Sequence, residues 1–369
     1  MKKKVWFFGG YFLKHELVSG SIYIFIGSIA ANVFNLFFSL FMGRNLTVEA
    51  FGVLISAVSL MSLISIPAGS IIPTIVSFAG SYFAKEDYGS VKILFFKITT
   101  PLIFIGFIIF LFFVVFANRI GDFFKITDQS IILIVGITVA LSYIGVVITG
   151  FLQAKLAFKF ISFSNLIGII FKFLIGVGLV LLGFGVNGAI WAIFISGLIP
   201  FIFGFIYFRS VFISKVNKKN KTNYKTIFSY GIPSSLATLG MMSLISTDIL
   251  LVKHFFDPLQ AGIYAGISLI GKIIFFFTAP IGSVMFPLIV KKYAKSEGYN
   301  NIFKMAIGIV FIPSVFISAF YFLYPDLIID FIIKNQTYKS ASGLLGAFGV
   351  FITIYSLITL FVYYFLSIK

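Results

Sequence analysis

Ionisable side chains set inside long apolar runs are the first place to look for chemistry in this sequence. Lys172 stands near the middle of one such run, after Asn165-Leu166-Ile167-Gly168-Ile169-Ile170-Phe171, Lys272 lies about a dozen residues into another, and Asp248 occupies the outer third of the run between them. A charge at bilayer depth costs about 2.5–3.5 kcal/mol on insertion scales, so each needs a partner or water. A lysine lining a desolvated cleft attracts an anionic group as a point cation. The competing reading is that its four-methylene stem snorkels to an interface, which is harder for the central Lys172. Asp248 could neutralise a lysine, carry a proton during coupling, or complete a structural ion pair. Arg44 closes the first run, where it could touch an anionic substrate or anchor the end of a helix. Asn32 and Asn35, three apart, share one helical face and suit a helix contact or a cavity wall. His15 and His254 stand singly near the ends of runs, so interfacial packing is expected and no metal site. The chain has no cysteine, which removes disulfides and thiol ligands.

The elements that position these residues follow from composition. Hydrophobic residues make up 60% of the 369 and charged residues 11%, with a mean hydropathy of +1.11. The apolar residues fall in runs of roughly 20 or more, the length a helix needs to cross a bilayer core. A transmembrane β-barrel would instead show alternating segments of about ten residues. The expected fold is an all-α integral membrane bundle of about ten transmembrane helices. They are placed at about 17–43, 51–79, 98–117, 131–152, 160–182, 186–208, 227–252, 261–290, 303–324 and 341–366. The connections leave no room for a soluble domain. Met1-Lys2-Lys3-Lys4 and the short apolar run after it read as a cytoplasmic amphipathic lead-in.

Loop charges orient the bundle. With the N-terminus in the cytoplasm, the inward segments carry 20 of the 28 Lys and Arg residues and the outward segments 6. That bias puts both termini in the cytoplasm of a bacterial inner-membrane protein. The net charge of +17 is then mostly topology signal plus attraction to anionic headgroups of the membrane lipids. Nucleic acid is not an expected partner, since the basic stretch Arg209–Lys225 lacks a folded binding module.

The chain also repeats itself at an offset of about 210 residues. Pro67-Ala68-Gly69-Ser70-Ile71-Ile72-Pro73 matches Pro280-Ile281-Gly282-Ser283-Val284-Met285-Phe286-Pro287 with one insertion, and Glu49-Ala50-Phe51-Gly52-Val53 aligns with Leu259-Gln260-Ala261-Gly262-Ile263. Two pseudo-repeated lobes are expected: 1–208 with six helices, a basic cytoplasmic linker 209–226, and 227–369 with four. Parallel repeats of this kind build transporters that work by alternating access. Each of Pro67, Pro73, Pro280 and Pro287 removes a backbone hydrogen bond, so kinks with a gating role are expected around both pairs.

Met42-Gly43-Arg44-Asn45-Leu46-Thr47-Val48-Glu49-Ala50-Phe51-Gly52 resembles the first-loop signature of the polysaccharide-biosynthesis flippases. Asp248-Ile249-Leu250-Leu251-Val252, Ala261-Gly262-Ile263-Tyr264-Ala265 and Phe151-Leu152-Gln153-Ala154 are similar to the same family. That family belongs to the multidrug/oligosaccharidyl-lipid/polysaccharide superfamily, with the lipid II flippases and the MATE drug exporters. The resemblance implies a MATE-like pair of six-helix lobes, the second lacking its last two helices here. It further implies translocation of a polyprenyl-pyrophosphate-linked oligosaccharide, with polysaccharide polymerase machinery as a partner and no cofactor. Lys172, Lys272, Arg44, Asn32 and Asn35 would then meet substrate, and Asp248 would serve coupling. A cation-coupled drug exporter of the same superfamily is the nearest rival, but it needs acidic groups in its cavity. The first six expected spans contain no Asp or Glu. A membrane-embedded sugar polymerase or ligase is the rival from another class. Its acid–base groups would have to come from the external stretch 325–340, which offers Asp326, Asp330, Lys334 and Lys339. The sequence carries no nucleotide-binding motif such as a P-loop.

Overall fold

The computed structural model describes residues 26–69, 71–83, 85–209, 224–294 and 298–368. The lysine-rich lead-in and residues 210–223 of the expected linker lie outside the described residues. All regular structure among the described residues is helical. The sequence is rich in Ile, Val and Phe, which are mediocre helix formers in water. In a bilayer the backbone must satisfy its own hydrogen bonds, and that requirement overrides propensity.

The helices are α1 (Ile26–Asn45), α2 (Val48–Gly69), α3 (Ile72–Phe83), α4 (Tyr88–Val115), α5 (Ala117–Phe124), α6 (Gln129–Ala154), α7 (Phe158–Leu179), α8 (Gly185–Tyr207), α9 (Tyr224–Phe255), α10 (Pro258–Gly271), α11 (Ile273–Ala294), α12 (Asn300–Leu323), α13 (Pro325–Ile332) and α14 (Leu344–Ser367). Length and apolarity alone select seven stretches, and the bent pair Pro258–Gly271 with Ile273–Gly282 adds an eighth. One of the seven, Phe158–Tyr207, holds both arms of a hairpin. The chain reverses at Gly183 and Gly185, whose φ values of 90° and 54° favour residues without a Cβ. With α9, 32 residues long, these account for the ten expected spans. Two of the ten are broken, as α2–α3 and α10–α11.

The chain divides into two compact units, one of residues 1–52 with 259–369 and the other of residues 53–258. This division differs from the lobes expected from sequence order. The first helix of each half is exchanged: α1 belongs with α10–α14, and α9 belongs with α3–α8 and most of α2. Hydrophobicity does not distinguish a neighbouring helix from lipid inside a bilayer, so close packing and polar contacts decide which neighbour a helix takes.

In the unit of residues 53–258, α6 is central. Val139, Val147 and Phe151 are buried, with Ile75 and Ala79 of α3 and Leu94 and Ile98 of α4 beside them in the core. Asp87 caps α4, accepting from the Ser90 amide and hydroxyl. These bonds, the hydroxyl's foremost, hold its carboxyl below the usual carboxylate range. Asp128 caps α6 and also accepts from Asn187 near the start of α8, and Asn187 is the main cause of its lowered pKa. In the other unit, Met285 and Ile289 of α11, Val310 of α12 and Leu360 of α14 form a buried cluster.

The repeat persists at atomic detail within each unit. The Ser142 hydroxyl donates to Ser65 at 2.9 Å, joining α6 to α2, and the Thr278 hydroxyl donates to Ser356 at 2.9 Å, joining α11 to α14. Ser65 and Thr278 each stand two residues before the repeated prolines Pro67 and Pro280. The eight-residue helices α5 and α13 recur at the matching place. Each is followed by a lysine in the left-handed region, Lys125 at φ 51° and Lys334 at φ 58°. The hairpin α7–α8 occurs in the first half alone among the described residues.

Candidate functional site

The prolines behave differently in the two copies. The second span breaks between Pro67 and Pro73, where α2 ends at Gly69 and α3 begins at Ile72. In the second copy, α11 runs unbroken through Pro280 and Pro287. The 41° bend lies instead at Lys272, between α10 and α11. The bend in this copy lies eight residues before Pro280. Backbone hydrogen bonds continue across the bend, from the Lys272 amide to Ser268 at 3.0 Å and from the Phe276 amide to Lys272 at 3.1 Å.

How α11 stays helical across Pro280 follows from its neighbours. Proline lacks the N–H that would bond the carbonyl four residues earlier, here that of Phe276. The side-chain amide of Asn32 donates to this carbonyl at 3.2 Å, and the Thr278 hydroxyl approaches the carbonyls of Ile274 and Phe275 at 3.0 and 3.3 Å. Two residues singled out from sequence thus meet in one unit, Asn32 serving the backbone that Pro280 leaves without a donor. Replacing Asn32 by Ala should cost about 1 kcal/mol, the scale of a polar contact between membrane helices. In a Pro280→Ala background the new N–H reclaims the Phe276 carbonyl, and the same replacement should cost little. Thermal unfolding of the four proteins in nanodiscs measures the coupling, and strictly additive costs would refute the pairing.

Arg44 at the end of α1 is engaged with the C-terminus of α13. Its Nε donates to the Ile332 carbonyl at 2.8 Å and its Nη2 to the Phe331 carbonyl at 3.0 Å. A cation there satisfies carbonyls without helical partners and opposes the negative end of the helix. Of the two expected roles, the geometry supports anchoring. Asn35 is half-buried on α1.

Lys172 lies in the second half of α7, half-buried, in the unit of residues 53–258, while Lys272 is half-buried at the bend in the other unit. Asp248 is half-buried on α9, with its Oδ1 shielded from solvent. Lys253 stands one residue past the expected span 227–252, yet it falls inside α9 and is 1% exposed. The stretch 325–340 is ordered by α13 and a short 3-10 turn, Gln336–Ala341. Asp330 is paired there with Lys339 at 2.6 Å and accepts from Gln336.

Sequence reasoning missed the hydroxyl pairs and the contacts of His254. The former had a signal: the hydroxyl residues Ser65 and Thr278 precede the repeated prolines at the same spacing.

A family model described as polysaccharide biosynthesis protein matches residues 41–342. The chain belongs to this family. It is accordingly a multi-pass membrane protein, and its fold is that of the multidrug/oligosaccharidyl-lipid/polysaccharide superfamily. An inward-facing multidrug resistance MATE family transporter of that superfamily is similar at a TM-score of 0.64 with 13% identity, over 92% of this chain and 83% of that one. The lipid II flippase MurJ, in an inward closed conformation, is similar at 0.66 with 14% identity, over 94% and 76%. A superfamily transporter from Pyrococcus furiosus, whose binding pocket is described as reversed in polarity, is similar at 0.60 with 14% identity, over 94% of each chain. In sequence, the chain is 25% identical over 326 residues to an uncharacterized membrane protein of Methanocaldococcus jannaschii, covering 83% of this chain and 77% of that one.

Proposed function

We propose that this family member is a flippase that carries a polyprenyl-pyrophosphate-linked oligosaccharide outward across the cytoplasmic membrane, with both termini in the cytoplasm. Alternating access moves the substrate, and polysaccharide polymerase machinery receives it. The observation that carries the reading is the sign of the charge placed at membrane depth. Lys172 and Lys272 stand within helical spans, while the first six expected spans hold no Asp or Glu. An anionic headgroup is favoured in such surroundings and a cationic drug is not. Lys172 and Lys272 each meet the pyrophosphate at some stage of its passage. Asp248 serves coupling, and the break between Pro67 and Pro73 and the bend at Lys272 supply flexible points. A polymerase or ligase is disfavoured because Asp330, one of two acids in the stretch 325–340, is committed to Lys339 and Gln336.

The test is a leaflet-resolved measurement of lipid-linked oligosaccharide in a strain deleted for this gene. Flippase activity predicts accumulation of complete oligosaccharide in the inner leaflet, reversed by the intact gene. Accumulation in the outer leaflet would point to a polymerase or ligase instead, and an unchanged pool would overturn the substrate assignment.

A further inference from the structure

The exchanged helices end in matching contacts that differ in one chemical respect. In one unit, Arg44 at the end of α1 donates to the last carbonyls of α13. In the other, His254 at the end of α9 holds the corresponding place on α5. Its Nδ1 lies 2.8 Å from the Phe123 carbonyl, and its ring stacks on that of Phe123 at 3.8 Å and 10°. Arg44 and His254 stand 210 residues apart, and Phe331 and Phe123 stand 208 apart, so the positions correspond under the repeat. The second junction is also fastened from the other side, where the Lys125 ammonium donates to the Phe256 carbonyl just beyond α9. Each of these two helix ends therefore places a basic side chain on the other's terminal carbonyls.

Arginine is cationic at every physiological pH, whereas imidazole changes charge near neutrality. Both contacts of His254 strengthen when the ring is charged. An imidazolium must donate from Nδ1, its charge opposes the negative end of α5, and the face of Phe123 attracts a cation. The other charged groups of these elements are Arg119 and Asp122 on α5, Lys125 after it, Lys225, Asp248 and Lys253 on α9, and Asp257 beyond it. Arg119 lies over the Phe116 ring, 5.8 Å from its centroid, and Lys125 is committed to Phe256. Asp128, at the start of α6, is engaged by Ser130 and Asn187. Helix α3, which also packs on α9, carries no charged residue. The ring touches a carbonyl and the Phe123 face, both of which favour the cation, and meets the Phe255 ring at 4.6 Å in a T-shaped arrangement.

We infer that His254 makes the junction of α9 with α5 a proton-responsive latch, tightened by acid, whereas the matching junction of α1 with α13 is held by Arg44 at any pH. This goes beyond the substrate assignment and does not depend on it.

The absence of cysteine makes the test direct. Spin labels at Asn118→Cys and Leu251→Cys, both exposed positions, report the latch in the full-length protein in nanodiscs. At about pH 5.5 the distance distribution should be narrow, and at about pH 8 a displaced population should grow roughly two- to fivefold, the scale of a charge contact at a helix end. His254→Arg should stay narrow at both values, and His254→Gln should show the displaced population at both. Labels at Phe37→Cys and Leu327→Cys, which report the Arg44 junction, should show no pH response. An unchanged distribution in the otherwise native protein would overturn the proposal, as would a pH response retained by His254→Gln. The native comparison stands even if a variant fails to fold.

Discussion

Gly262→Ala is expected to abolish most of the folded protein. Near the start of α10 the chain runs against the first turn of α2, and a Cβ on Gly262 would fall inside the contact radius of the Val48 carbonyl oxygen. A backbone carbonyl cannot rotate aside as a side chain can, so one helix would have to move bodily. The approach is mutual, since a Cβ on Gly52 would lie 2.8 Å from the Gly262 Cα. These are the two glycines that the repeat aligns. Overpacking costs about 1–3 kcal/mol when side chains can yield, and here the cost should exceed about 3 kcal/mol, in the range that unfolds marginal proteins. Gly308→Ala in α12 is the control, because a Cβ there meets nothing within 4 Å. The measurements are monodisperse yield after gentle extraction and the thermal midpoint. A Gly262→Ala protein with the yield and midpoint of the control would show that the two helices are not packed this closely.

How far the sequence led depended on what each feature rests on. The spans were readable because bilayer thickness fixes run length, and the helices fall where apolar runs of that length occur. The exchange of α1 and α9 was not readable. Partner choice in lipid depends on contacts such as those of Asn32 and Arg44, whose acceptors lie more than 240 residues away in sequence. The prolines illustrate both outcomes. Their repetition was visible, and α2 ends at Gly69, between the first two of them. At Pro280 the consequence was hidden, because a donor from α1 compensates for the missing N–H and the helix continues. A charge near the end of an apolar run reads as a boundary, so the expected span 227–252 stops before Lys253, yet α9 continues past it to Phe255. His254 looked like an isolated interfacial residue, and only the placement of α9 beside α5 reveals its correspondence to Arg44.

Export by a Lys172→Gln, Lys272→Gln double variant is expected to fall roughly ten- to a hundredfold while the protein still inserts. Glutamine keeps much of the length of lysine and a hydrogen-bond donor but removes the charge. A hydrogen bond to a charged partner is worth about 1.5–3 kcal/mol, and each 1.4 kcal/mol is a factor of about ten in an equilibrium or a rate. A pyrophosphate drawn into a medium of low dielectric loses its hydration, and a cation near its path offsets part of that loss. Removing a charge from α7 or from the α10–α11 bend should leave insertion unchanged or easier, because lysine is among the costliest residues at bilayer depth. Loss of export with normal membrane abundance therefore separates a role in transport from a role in folding. Arginine at either position should be milder than glutamine, since the cation remains, although its planar fork presents donors differently. The readout is surface polysaccharide normalised to protein in the membrane, alongside the leaflet-resolved lipid-linked pools. A double variant that exports at the normal rate would remove the electrostatic basis for an anionic substrate. Family membership would be untouched, because it rests on the match over residues 41–342 as a whole.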